Sequence, residues 1–411
     1  VAEHANGAIT GQTTADLQPG ALRGLRVLDC GQIIAAPFAA CLLADFGADV
    51  IKVEQPGIGD AYRGEQGSSF GWAADDRNKR SITLDLRRPE GQALLKRLVA
   101  VSDVVIENFL PGTMERWRLG YDELAAVNER LIMLRCSGFG QTGPYAQKYS
   151  FDRIGLAIGG MTYATGFADR PPARPGYFVA DYGTGLFGAF AVLTAIYNRD
   201  IAQGGRGQMI DVSLYETVWK MSGTVAAQYA SSGQIRERNG NTVPGVVPAE
   251  QFETADGRYV VVHAGTDRVF SRLCETIGRP ELRTDPRFAT PAARRQHQDA
   301  LHAEIAVWVR GLTQAECLGK LDAGGVPGSP VFNIADIFAD PHFAARGNIV
   351  RVKDPLLGEV AQPGIYPHLS ATPGTIRRPA PLLGDANAEI YGGLLGLAPD
   401  ELAGLRQSGV I

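Results

Sequence analysis

Apolar residues recur along the first third of this chain in short β-branched and leucine-rich runs, separated by longer stretches with helical spacing. Leu25 to Cys30 reads as a strand, Pro37 opens an apolar helix that ends near Phe46, and Asp49 to Glu54 reads as a second strand. The alternation continues with strands at Ser81–Leu86, Val104–Asn108 and Leu131–Ser137 and helices at Gly91–Ala100 and Tyr121–Asn128. Such a β-α-β succession predicts a doubly wound, parallel-sheet α/β domain whose ligands lie beyond the carboxyl ends of the strands. Gln32, Asn108 and Phe109 fall on that rim. Further on, Tyr177–Ala180 reads as a short buried strand end, followed by a core helix uncharged from Tyr182 to Asn198, and Met209–Leu214 reads as another strand.

A second pattern begins after a polar stretch, Ser231–Pro248, that reads as a crossing linker. Phe252–His263 around Asp256-Gly257 predicts a hairpin, and Thr266 predicts the cap of a helix that ends at Gly278. Helices near Ala300–Val309 and Thr313–Ala323 follow, then a turn at Gly324–Pro330, Pro- and Gly-rich segments over Leu356–Pro381, and a last helix at Asn387–Leu395. The division expected is a flexible tail at 1–20, a large domain of 21–230 with 331–411, and a linker with a smaller α+β domain at 231–330.

Composition narrows the chemistry. Hydrophobic residues make up 45% and charged residues 20% of the 411, enough to bury a sizeable interior. A net charge of −4 and a sequence pI near 5.9 disfavour nucleic acid and anionic membranes as partners, although Arg77-Asn78-Lys79-Arg80 could meet a phosphate. The uncharged run Tyr182–Asn198 falls short of the ~20 apolar residues of a membrane span. Cys30, Cys41, Cys136, Cys274 and Cys317 are scattered without a CxxC pair, which predicts free thiols in a reducing cytoplasm. The polar N-terminus reads as a tail rather than a signal peptide. His4, His263, His297, His302, His342 and His368 have no metal-ligand spacing, so no metal site is expected. Glu54 stands where a ribose-binding acid would fall, but the first turn, Cys30–Pro37, lacks the second and third glycines of a dinucleotide fingerprint. No serine is read as a nucleophile elbow between strand and helix, and the P-loop pattern is absent from the sequence.

Chemistry is then left to carboxylates. Asp181 precedes the long uncharged helix among Gly176, Gly183, Gly185 and Gly188, which allow another backbone or a ligand to approach. A carboxylate there is ordinarily an N-cap; equally, the same amides would hold it ionised as a nucleophile in an apolar setting. Asp152, ahead of a second glycine-rich stretch, carries the same two readings. Asn108-Phe109-Leu110-Pro111-Gly112 is either an ordinary strand-to-helix turn or a grip on a flexible, amide-containing ligand, with Arg116 one turn later either solvated or on a phosphate.

Taken together, Gly24–Asp29, Leu43–Glu54, Asn78–Ile82, Glu107–Gly112, Gly138–Pro144, Asp181–Gly185 and Gly205–Gln208 give a chain that resembles the class III CoA-transferases, of the formyl-CoA and carnitine CoA-transferase type. The resemblance runs from about Leu22 to the C-terminus. It implies a Rossmann-like CoA-binding large domain, an interlocked (threaded) homodimer, Asp181 as nucleophile, and a CoA site formed by Gln32, Ile33, Ala35, Leu84, Arg87, Asn108, Phe109 and Arg116. CoA thioester would be a substrate, with no permanently bound cofactor. Where formyl-CoA transferases have a mobile glycine loop this chain has Asn241–Val247, and where the related 2-methylacyl-CoA racemases have a histidine it has Phe151. A racemase therefore remains only as the alternative, beside a non-catalytic CoA-binding protein that would have no use for Asp181. The expected reaction moves CoA from an acyl-CoA, succinyl-CoA as the leading donor, to a short polar carboxylic acid contacted by Lys148, Tyr149, Phe151 and Asp152.

Overall fold

The computed structural model describes residues 20–202 and 204–411; the proposed tail therefore lies outside the described residues, save Gly20. The chain forms two compact units, one of residues up to Thr162 with Arg174–Ile235 and Ala344–Ile411, the other of Tyr163–Ala173 with Arg236–Phe343. The boundaries expected at 231 and 330 thus fall at Arg236 and Phe343, and the second unit also takes in a short excursion from the first.

In the first unit six strands, β1 (Arg26–Asp29), β2 (Asp49–Glu54), β3 (Lys79–Thr83), β4 (Val104–Glu107), β5 (Ile132–Ser137) and β6 (Met209–Ser213), form a parallel sheet of order β3-β2-β1-β4-β5-β6. Side chains alternate across it as a two-residue period requires. Leu28, Ile51, Ile82, Val105 and Met133 face one core, shared with Leu94, Leu95 and Leu98 of α2 (Pro89–Val99) and with Ile390 and Tyr391 near the C-terminus. Val27, Val50, Val104, Ile106 and Leu134 face the other, shared with Ala36, Ala39 and Leu43 of α1 (Ala35–Asp45). Each Val, Leu, Ile or Met side chain among them contributes roughly 1.5–3 kcal/mol when fully buried. Helices α3 (Asp152–Ile158), α4 (Val179–Asp200) and α5 (Leu214–Met221) complete the part of the unit that bears on the site.

Several expectations are corrected here. Tyr177–Ala180 is not a strand: Tyr177 and Phe178 are exposed and α4 starts at Val179. Nor is α4 a wholly buried core helix. Gly183, Gly185, Gly188, Val192 and Ala195 line its buried face, while Leu186, Phe190, Leu193 and Tyr197 on the other face are exposed. At 22 residues it is also long and apolar enough, by length and composition alone, to cross a membrane. Its small-residue face is instead packed within the unit: a Cβ on Gly185 would stand 2.8 Å from the Ala35 carbonyl oxygen, and one on Gly188 2.9 Å from Leu134. A hairpin, Ile349–Asp354 with Gly358–Pro363, and a final helix, Pro399–Gln407, were not anticipated. The cluster Arg77–Arg80 is occupied structurally: Arg77 pairs with Asp45 at 2.7 Å, and Lys79, fully buried, pairs with Asp29 at 2.9 Å and Asp76 at 2.6 Å. Glu54 is likewise spent on Arg63 at 2.7 Å, which removes it as a ribose-binding acid.

The second unit holds an antiparallel sheet of Ala249–Glu253, Tyr259–His263 and Gly328–Pro330, so part of the expected Gly324–Pro330 turn is a strand. Helices Asp267–Thr276, Gln298–Arg310 and Gln314–Ala323 cover it, with the Thr266 hydroxyl capping the first and Gly278 (φ +73°) ending it.

Candidate active site

At the carboxyl ends of β1, β4 and β5, where the strand order reverses, lies a pocket of about 330 Å³. Its walls are the turn Gln32–Ala35, the segment Asn108–Pro111, Cys136–Gly138 and Ala146–Phe151 apart from Gln147, with Asp181 reaching in from the first turn of α4. A smaller recess of about 60 Å³, bounded by Leu84, Arg87 and Trp117, shares Gln32 and Phe109 with it.

Backbone and side chains lock these walls together. The Asn108 carboxamide accepts from the Gln32 amide and donates to the Gln32 carbonyl, both at 2.8 Å, tying the β4 end to the β1 turn. The Phe109 amide donates to Glu107 at 2.6 Å, and its ring meets Trp117 edge-on at 5.1 Å. Burial lifts the Glu107 carboxyl to about 7, against the pull of Arg135, which donates to it at 2.7 Å. Asn108 is therefore held by the turn after β1, and Phe109 by a carboxylate fixed in β4.

Asp181 is third in α4, and no side chain of the preceding residue, Phe178, caps the helix. The N-cap role expected of Asp181 is filled instead by Asp152 from α3, whose Oδ1 accepts from the amides of Ala180 (2.9 Å) and Asp181 (3.3 Å). Asp152 is buried below the pocket and does not line it, so the substrate contact expected of it is absent; its Oδ2 has no hydrogen-bond partner among the described residues. Burial first, and the neighbouring Asp152 charge second, push the Asp181 carboxyl up to about 7. The expectation that helix amides keep it strongly ionised is thus reversed: desolvation and a like charge outweigh the dipole. Gly183 and Gly185 serve close packing rather than ligand approach, since a Cβ on either would stand 2.8 Å from a neighbour.

Of the other anticipated residues, Gln32, Ile33, Ala35, Asn108 and Phe109 line the larger pocket with Asp181, as do Lys148, Tyr149 and Phe151. Leu84 and Arg87 line the recess, where Arg87 is exposed and pairs with Asp85 at 2.8 Å. Arg116 borders neither; it is exposed and donates to the Thr113 hydroxyl at 2.8 Å. Lys148 is the one cationic side chain lining the larger pocket among the described residues, its ammonium 3.8 Å from the centre of the Tyr145 ring. Ser137 and Ser150 add hydroxyls that no motif pointed to; only a tertiary neighbourhood brings them there.

A carboxylate near neutrality, one cation and two amide-bearing walls suit a thioester and an acid better than a nucleotide alone. Residues 22–387 match the family described as CoA-transferase family III. The chain belongs to CoA-transferase family III. It is 47% identical over 398 residues to the succinyl-CoA–D-citramalate CoA-transferase of Chloroflexus aurantiacus, covering 96% of this chain and 98% of that one. To the succinate–glutarate CoA-transferase of Agrobacterium fabrum it is 36% identical, over 90% of this chain and 94% of the other. Among solved structures, a CAIB/BAIF family protein from Brucella suis superposes with a TM-score of 0.82 at 36% identity, covering 92% of this chain and 100% of that one. This family III chain is accordingly a CoA-transferase, and its candidate site is the Asp181 pocket.

Proposed function

We propose that the protein transfers CoA from succinyl-CoA to a short dicarboxylic acid, with Asp181 as the covalent nucleophile. The carrying observation is the pairing, in one pocket, of a half-buried carboxylate with a single cation, Lys148. Asp181 attacks the thioester carbonyl and expels CoA thiolate, forming a mixed anhydride. The thiolate then attacks the Asp181 carbonyl, releasing succinate and leaving an aspartyl-CoA thioester. The acceptor carboxylate repeats the two steps in reverse order, and no net proton is consumed. Lys148 is suited to the distal carboxylate of donor and acceptor alike, which the names of the citramalate and glutarate relatives support. Gln32, Ile33, Ala35, Asn108 and Phe109 are assigned to the pantetheine end of CoA, and Leu84 and Arg87 to its far end.

The sheet order, with helices on both faces, supports a doubly wound reading, and the exposed stripe Leu186, Phe190, Leu193 and Tyr197 supports an interlocked homodimer. An apolar helix face of that length is rarely left in water, and a second copy is the occupant proposed. Five buried free thiols suit a reducing cytoplasm. Mixing the protein with succinyl-CoA and citramalate, malate or glutarate, and following acyl-CoA exchange by mass, tests the activity. Exchange with at least one acid is expected; none with any of the three overturns the proposal.

A further inference from the structure

The turn Gly31–Ile33 forms a wall of the larger pocket in a conformation its own sequence disfavours. Ile33 has φ +66°, in the left-handed region where a β-branched side chain crowds its own backbone. Such a conformation persists only where the surroundings impose it. Here the surroundings are explicit. The Ile33 amide donates to both carboxylate oxygens of Asp60, at 3.1 and 3.2 Å. Asp60 is 4% exposed and its Oδ2 accepts from the Lys52 ammonium at 2.9 Å. That ammonium, fully buried, also donates to the Gly31 carbonyl at 2.6 Å, and the Gly31 amide donates to Asp29 at 3.0 Å. Asp60 and Lys52 border neither cavity, yet they fix the backbone of residues that do.

We propose that Asp60 is a positioning residue for the thioester pocket: its carboxylate, clamped by Lys52, holds Ile33 in the left-handed conformation and so sets the wall that shares the pocket with Asp181. The consequence for turnover rests on the CoA-transferase reading; the hold on the turn does not. Asp60 also caps the short 3₁₀ turn Ala61–Arg63 by accepting from the Tyr62 amide at 2.9 Å. A merely structural role of that kind would be indifferent to the residue at position 33, whereas the proposed role depends on it. Glycine adopts positive φ without strain, so Ile33→Gly removes the need for an external hold.

The test is a double-mutant cycle of Asp60→Ala with Ile33→Gly, repeated with Asp60→Asn, which keeps the volume and one acceptor and so protects against loss of folding. Two quantities are read: hydrogen exchange of the Gly31 and Gln32 amides, which donate to Asp29 and Asn108 rather than to Asp60, and kcat/KM for succinyl-CoA. With Ile33 present, Asp60→Ala is expected to speed exchange and lower kcat/KM by about tenfold, the population shift that one left-handed β-branched residue represents. In the Ile33→Gly background the same substitution should change either quantity less than about twofold. Asp60→Asn should show the same coupling at smaller size. Equal factors in the two backgrounds, for exchange, overturn the proposal whichever Asp60 variant is read. Coupled exchange in a protein that moves no CoA would sink the activity reading alone and leave the hold of Asp60 on the turn standing.

Discussion

Replacing Asp181 by asparagine removes a charge that the folded protein tolerates poorly, so the change should stabilise the fold while it abolishes transfer. The carboxyl rises from an ordinary 3.8 to about 7 because of burial and the Asp152 charge. Such a rise corresponds to about 4 kcal/mol between the two protonation states. The sign follows from linkage: a raised pKa favours the folded state below the unfolded value, near pH 4, and that contribution is lost as pH rises through about 7. Above pH 7 the wild type therefore carries the full penalty and the asparagine variant carries none. For a unit of this size, at ~2.1 cal/mol/K of unfolding entropy per residue, that is about 7 °C in Tm. Thermal unfolding of both proteins from pH 4.5 to 8.5 reads it directly: the variant's advantage should grow with pH across that range and level off near pH 8. A constant offset from the buried amide is immaterial, because only the pH-dependent part is predicted. A Tm difference flat with pH, or one that grows towards acid, would refute the reasoning.

Asp152→Asn keeps an acceptor for the α4 amides but removes the like charge, so the acidic limb of kcat/KM for acyl-CoA, centred near pH 7 in wild type, should move to lower pH; an unmoved limb would remove Asp152 from the electrostatics of Asp181. Lys148→Met should cost about 10- to 100-fold in kcat/KM for succinate or glutarate and little for butyrate, and equal losses would place the distal carboxylate elsewhere. Arg116→Ala should leave desulfo-CoA affinity within about twofold, since Arg116 borders neither cavity; a tenfold loss by calorimetry would restore it to the site. In the proposed interlocked homodimer, Phe190→Asp with Leu193→Asp should prevent recovery of a folded dimer, and a folded dimer of unchanged mass and Tm in sedimentation equilibrium and thermal unfolding would mean that the α4 stripe is not its interface.

The parallel sheet was legible because its strands are short β-branched runs bounded by turn residues; β2 was anticipated to the residue and the others within two or three. The start of α4 was missed for a physical reason: Tyr177 and Phe178 are strand formers by composition, but here they are left exposed ahead of a helix whose cap comes from Asp152, far away in sequence. The C-terminal hairpin and last helix were hidden by prolines and glycines that break any clear period. At the site, Asp181 and the Asn108-Phe109 pair stood out as motifs. The groups that tune them did not. Asp60 and Lys52 act through hydrogen bonds to the backbone of another segment, and Asp152, read as a helix cap or a contact for substrate, holds the helix that carries Asp181 rather than its own. Nothing in a local stretch records such partnerships.

The most direct test of the account is to trap the covalent intermediate. Wild-type protein incubated with succinyl-CoA, quenched with hydroxylamine and digested should carry a hydroxamate on Asp181 in the peptide that opens α4, and Asp181→Ala should carry none while still binding desulfo-CoA. A hydroxamate on another carboxylate, or steady CoA exchange by Asp181→Ala, would contradict the assignment of Asp181 as the nucleophile.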